Sequence, residues 1–143
     1  RNRVDFYADA EAGLQRLAAR LPVAGLTNGN ADLGAVGIAP LFVFSLSARE
    51  YGAAKPDAGL FHEACKRLGL PPHEVLHVGD DPRTDIAGAA AAGLQTCWID
   101  RGDHAWPETL APADLRVTTL IELADALDAH LHPDATLRKE QAA

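Results

Sequence analysis

The sequence predicts an α/β protein with a Rossmann-like, doubly wound, mainly parallel sheet and flanking helices. Three observations point there. Short apolar runs alternate with stretches of helical periodicity along the 143 residues. The connections between them are short, as crossover units require. Two of the apolar runs stop at polar residues of a kind that binds ligands, Thr27 and the pair Asp80-Asp81, and such sheets bind ligands beyond the carboxyl ends of their strands.

Taken in order, Leu14, Leu17 and Leu21 recur at helical spacing. Asp9 is placed to cap that helix, Glu11 to sit in its first turn, and Pro22 to end it. Residues 23–27 read as a first strand and residues 41–46 as a second. Pro56 and Asp57 open a helix with Leu60, Phe61, Ala64, Cys65 and Leu68 on its core face, closed by Gly69. Residues 75–78 form a third strand, 82–92 an alanine-rich helix ended by Gly93, and Gln95–Ile99 a fourth strand. Residues 116–118 suit a short fifth. Thr119 and Glu122 have capping-box spacing for a last helix reaching Leu131. Residues 1–132 are expected to be one partial α/β core domain, the C-terminal part of a larger fold, and residues 133–143 a frayed tail.

Composition narrows the function. Apolar content of 48% and charged content of 23% suit a globular domain. A net charge of −7 argues against a nucleic-acid partner and an anionic membrane surface. No apolar run has membrane-spanning length and Arg1-Asn2-Arg3 opens no signal peptide, so the cytoplasm is the expected compartment. Cys65 and Cys97 sit in apolar patterns without metal-type spacing and read as core thiols.

The chemistry concentrates in three places. Gly79-Asp80-Asp81, with Asp85 four residues on, ends an apolar strand. Adjacent carboxylates there repel and lose hydration unless a cation holds them, and magnesium suits oxygen ligands that leave it some waters. Asp80 is the best metal ligand. Asp81 and Asp85 serve either to orient metal waters and neutralise Lys55, or as cap and first-turn acids of the next helix. Thr27-Asn28-Gly29-Asn30 follows the first strand: the hydroxyl and the Gly29 backbone suit a phosphate, and the same residues equally suit a helix cap. Lys55 precedes a helix start, where the dipole offers a cation nothing; an anion stabilises it there, or it is a solvated surface lysine. His77 reads as a packed, hydrogen-bonded histidine rather than a base. Trp98 is expected to pack on the sheet, and Trp106 lies in a loop beside Pro107.

In this order and spacing the three motifs resemble those of the haloacid dehalogenase superfamily, over about residues 6–98. Residues 76–99 look like the subfamily with a helical cap near the N-terminus, and Leu26 to Asn30 with Gln95–Ile99 resemble its phosphatases of the flavin pathway. The resemblance implies a magnesium-dependent phosphomonoester hydrolase acting on a small phosphorylated metabolite through an aspartyl-phosphate. Thr27 and Lys55 would be catalytic, Thr27, Asn28, Gly29 and Lys55 would bind phosphate, and Asp80, Asp81 and Asp85 would serve the metal. The family's Asp-x-Asp nucleophile motif has no counterpart: Asp5 is followed by Phe6-Tyr7 and Asp9 by Ala10-Glu11. The resemblance therefore implies a core lacking its first strand and cap, with two central strand edges open for a missing N-terminal segment or a partner chain. A dehalogenase of the same superfamily and a non-catalytic binding or regulatory fragment are the alternatives.

Overall fold

The computed structural model describes residues 3–28 and 39–131, with side chains over 10–28 and 40–130. Gly29, Asn30 and the tail beyond residue 131 lie outside the described residues. The elements run α1 (Arg3–Ala18), β1 (Ala24–Thr27), β2 (Phe44–Ser47), α2 (Ala48–Tyr51), α3 (Ala58–Leu68) and β3 (Leu76–Gly79). A π-helical stretch (Pro82–Ala87) leads into α4 (Gly88–Ala91), followed by β4 (Gln95–Ile99), β5 (Leu115–Val117) and α5 (Leu120–Leu131).

All pairings are parallel. β1 lies against β2 with Thr27 opposite Ser47. β3, β4 and β5 lie side by side, Gly79 opposite Trp98 and Trp98 opposite Arg116. Among the described residues β1 and β3 do not pair, so the strands form one two-stranded and one three-stranded sheet. An apolar cleft of about 700 Å³ is lined by Val23 and Ala24 from the β1 side, Leu76 and Val78 of β3, and Leu17 and Leu120 of the helices.

Helices cover both faces. Phe61 and Cys65 of α3 pack with Ala89, Ala92 and Leu94, and Leu26 and Val75 lean on them. On the other face Cys97 and Ile99 of β4 pack with Val117 and Leu123, joined by Leu17, Leu76, Val78 and Leu127. Period-two alternation thus sends Leu76 and Val78 toward α1 and α5, and His77 toward α3, where its ring meets Phe61 edge-on at 5.0 Å. Both cysteines are free and buried, and burial pushes the Cys97 thiol up to about 12. The α/β architecture with parallel sheets and flanking helices is the one the alternating pattern predicts.

Several boundaries differ from expectation, each for a local reason. Asp9 does not cap α1, which begins at Arg3; no glycine or proline interrupts residues 3–12, so nothing stops the helix from extending. Leu21 falls beyond its end. Gly13 lets α1 approach α5, since a Cβ there would stand 2.5 Å from Leu120 Cβ. The second strand starts at Phe44, because Ala39–Leu41 around Pro40 forms a 3₁₀ turn. Asp57 caps α3 through the Gly59 amide, and Gly69 ends it in the left-handed region at φ 73°. Residues 82–92 are not one α-helix. The amides of Asp85 and Ile86 both bond the Asp81 carbonyl, and that of Gly88 reaches the Arg83 carbonyl, winding the first turns wide.

Candidate active site

A chain of hydrogen bonds joins the carboxyl ends of β1 and β3. Asn28, one residue past β1, accepts from the Lys55 amide at 2.7 Å and donates back to the Lys55 carbonyl at 3.1 Å. Lys55 then projects its Nζ 2.6 Å from Asp85 Oδ1. Asp85 Oδ1 also accepts from His77 Nε2 at 3.0 Å, and its Oδ2 accepts from the Asp81 amide at 3.2 Å. Thr27, Asn28, Lys55, Asp81 and Asp85 therefore share one rim, with Asp80 between the two residues of β3's end that Asp85 touches.

Local sequence explains how they arrive there. Pro56 follows Lys55 across a cis peptide bond, and Gly88 leaves room for it, since a Cβ at Gly88 would stand 2.7 Å from Pro56 Cβ. Gly79 does the same for Asp85: a Cβ at Gly79 would lie 2.2 Å from the Asp85 Cγ. The wide winding from Asp81 onward sets Asp85 back over that glycine.

The electrostatics centre on Asp85, which is 4% exposed. Burial opposes its charge, but the hydrogen bonds from His77 and Lys55 outweigh this and hold the carboxyl at about 2. The Lys55 side chain is 12% exposed, so the ion pair sits largely out of water. Asp81 Oδ1 accepts from the Arg83 and Thr84 amides. The Thr84 amide is the larger influence holding its carboxyl below the usual range. Among the described residues the Asp80 carboxylate has neither a hydrogen-bond nor an ion-pair partner.

The predicted residues thus separate. Asp81 acts as the cap of the segment that follows, Asp85 anchors Lys55 and His77, and Asn28 positions the Lys55 backbone. Of the three carboxylates, that of Asp80 is the one without a partner among the described residues. Thr27 ends β1 on the same rim, and Gly29 lies outside the described residues. No group of three or more histidines, cysteines or acids able to hold a metal occurs among the described residues. A single unengaged carboxylate still suits magnesium as one ligand, because that ion keeps several waters and needs few protein oxygens.

Two residues of the site were not read as such from sequence. His77 is hydrogen-bonded as expected, but its partner is the site's own Asp85. Trp98 donates its indole N–H to the Asp80 carbonyl at 2.8 Å. The β3–β4 register that brings it there has no signature within either strand alone.

These features are those of an α/β core with its polar residues gathered at the carboxyl ends of the strands. The family described as haloacid dehalogenase-like hydrolase matches residues 2–93, and the chain belongs to that family. It is 36% identical over 131 residues to the 5-amino-6-(5-phospho-D-ribitylamino)uracil phosphatase YigB of Escherichia coli, covering 89% of this chain and 55% of that protein. It is 41% identical over 135 residues to a phosphoserine phosphatase of Thermus thermophilus, covering 89% and 54%. Among solved structures, a 2-haloacid dehalogenase from Pseudomonas syringae superposes with a TM-score of 0.77 at 36% identity, covering 84% of this chain and 52% of that one. The chain spans about half the length of the curated relatives it matches.

Proposed function

We propose that the protein provides the core of a magnesium-dependent phosphomonoester hydrolase, with a small phosphorylated metabolite as substrate. The observation that carries this reading is the Asp80 carboxylate, unengaged at the strand end, on the same rim as a lysine fixed by Asp85. Cleaving a phosphate monoester demands compensation of charge on the transferring group. In this reading the Thr27 hydroxyl donates to a phosphoryl oxygen, the Lys55 ammonium offsets charge on the phosphoryl group, and Asp80 ligates the metal. Asp81 and Asp85 act from behind, holding the Asp80 loop and Lys55. Magnesium, when bound, supplies charge neutralisation between carboxylate and phosphate. The nucleophilic aspartate of an aspartyl-phosphate route would enter on a strand seated in the cleft between β1 and β3, from a further N-terminal segment or a partner chain. The likeness to the Escherichia coli enzyme supports a flavin-pathway intermediate as the metabolite.

The test is hydrolysis of p-nitrophenyl phosphate with magnesium. The 143-residue chain alone should show little or no turnover, and a longer chain carrying an Asp-x-Asp strand should restore it. Robust magnesium-dependent turnover by the 143 residues alone would overturn this account. The likeness to a Pseudomonas syringae dehalogenase favours a second reading, release of halide from a 2-haloacid. That chemistry needs no metal, so halide release by the longer chain in the presence of a chelator selects it.

A further inference from the structure

The Asp80–Asp81 peptide unit is held at both ends. Its carbonyl accepts from the Trp98 indole at 2.8 Å, and its N–H donates to Asp85 Oδ2 at 3.2 Å. The β3–β4 ladder ends with Gly79 opposite Trp98, so the indole adds one bond beyond the last rung, on the residue that carries the free carboxylate.

Trp98 is itself immobilised. It is 6% exposed, and the Trp106 ring stands 4.9 Å from its ring at a tilt of 57°. The Arg116 guanidinium lies 5.6 Å from the Trp98 ring centre and is tied to Asp100 at 2.6 Å. Trp106 is held in turn by donating to the Leu110 carbonyl at 3.2 Å. Their cleft is about 420 Å³ and is lined also by His104 and Pro112. With neighbours already at its ring and its N–H committed inward, Trp98 is suited to holding the loop.

We infer that Trp98 is a positioning residue for the metal ligand: by fixing the Asp80–Asp81 peptide plane, it presents the Asp80 carboxylate to a divalent cation. The inference rests on the magnesium reading above. Two pinned ends restrict the torsions on either side of the peptide, Asp80 ψ and Asp81 φ, so the backbone from which the carboxylate projects is already ordered when the cation arrives. Orienting partners of this kind commonly sustain an order of magnitude or more in metal affinity.

The experiment titrates magnesium alone into the chain and follows its amide and indole resonances. The chain has two tryptophans, so two indole N–H signals report. Magnesium should shift the Trp98 indole and the Asp81 amide together and leave the Trp106 indole nearly in place. Trp98→Phe, which keeps a ring but removes the donor, should weaken the midpoint at the Asp81 amide about tenfold. A wild-type midpoint in Trp98→Phe overturns the inference. So does an Asp81 amide that moves while the Trp98 indole stays still, and either result leaves the magnesium reading intact. If no signal near Asp80 responds through the millimolar range, this inference fails, while magnesium-dependent turnover by the longer chain still decides the magnesium reading. Should Trp98→Phe not fold, the wild-type titration decides.

Discussion

Asp85 accepts three hydrogen bonds on its two carboxylate oxygens, and its effect on stability has a definite sign. Its folded carboxyl titrates at about 2, below the ordinary 3.8. The stabilisation it confers is therefore complete above the unfolded value and lost as pH falls from about 4 toward 2. Asp85→Asn leaves Lys55 largely buried without its counter-ion, and near neutral pH should cost about 3 kcal/mol. In urea denaturation that gap should narrow by roughly 2 kcal/mol between pH 6 and pH 2; a gap independent of pH would contradict the assignment. Gly79 is constrained by the same carboxylate. Gly79→Ala should displace Asp85 and cost on the order of 1–3 kcal/mol, with a matching upward shift of the Asp85 carboxyl in NMR titration. At this scale much was legible. A lysine placed where a helix dipole gives it nothing points either to an anion, the acids after β3 among the candidates, or to solvent, and the structure pairs it with Asp85. The Trp98 bond to Asp80 was not legible, because residues 18 apart meet only once the strand register is set.

The elements form where their punctuation says, and depart where a tether competes with it. Gln95–Ile99 is a strand over the residues expected, since β-branched and aromatic side chains run between Gly93 and a polar exit. Residues 82–92 mislead because their alanines favour an α-helix throughout, whereas Asp81 draws in the first amides and Asp85 is bound backward to Lys55 and His77. That tether lies outside any local pattern. Thr119 shows the reverse case. Its hydroxyl accepts from the Glu122 amide at 3.1 Å, and Glu122 reaches back to the Thr118 amide at 2.8 Å, a capping box displaced by one residue on its return arm. Thr119→Ala should lower stability by about 1 kcal/mol, and thermal unfolding should show α5 loosening from α1. The ion pairs of Arg16 with Asp125 and Asp128, each 2.8 Å, lie on the surface of that α1–α5 contact and add little to it.

At the scale of the whole molecule, the governing feature is a sheet in two parts. An alternating α/β pattern predicts parallel strands, but spacing alone does not tell which strands become neighbours; that came only from the resemblance, through the absence of an Asp-x-Asp strand. The cleft between β1 and β3 has a consequence for the rate at which backbone protons exchange with solvent. The Gln95 amide donates to the Val75 carbonyl at 3.0 Å, so by alternation His77 and Gly79 turn their amides toward β4, while Leu76 and Val78 turn theirs toward the cleft. Deuterium should therefore enter β3 in a period-two pattern, fast at Leu76 and Val78 and slow at His77 and Gly79. β4, bounded on both sides, should be slow throughout. Uniform protection along β3 in the isolated chain would contradict the divided sheet. Among the described residues β1 and β3, which lead to Thr27 and Asp80, are the strands whose open edges border the cleft, so the backbone that carries the rim breathes along that edge, and any strand that seats in the cleft would quiet both at once.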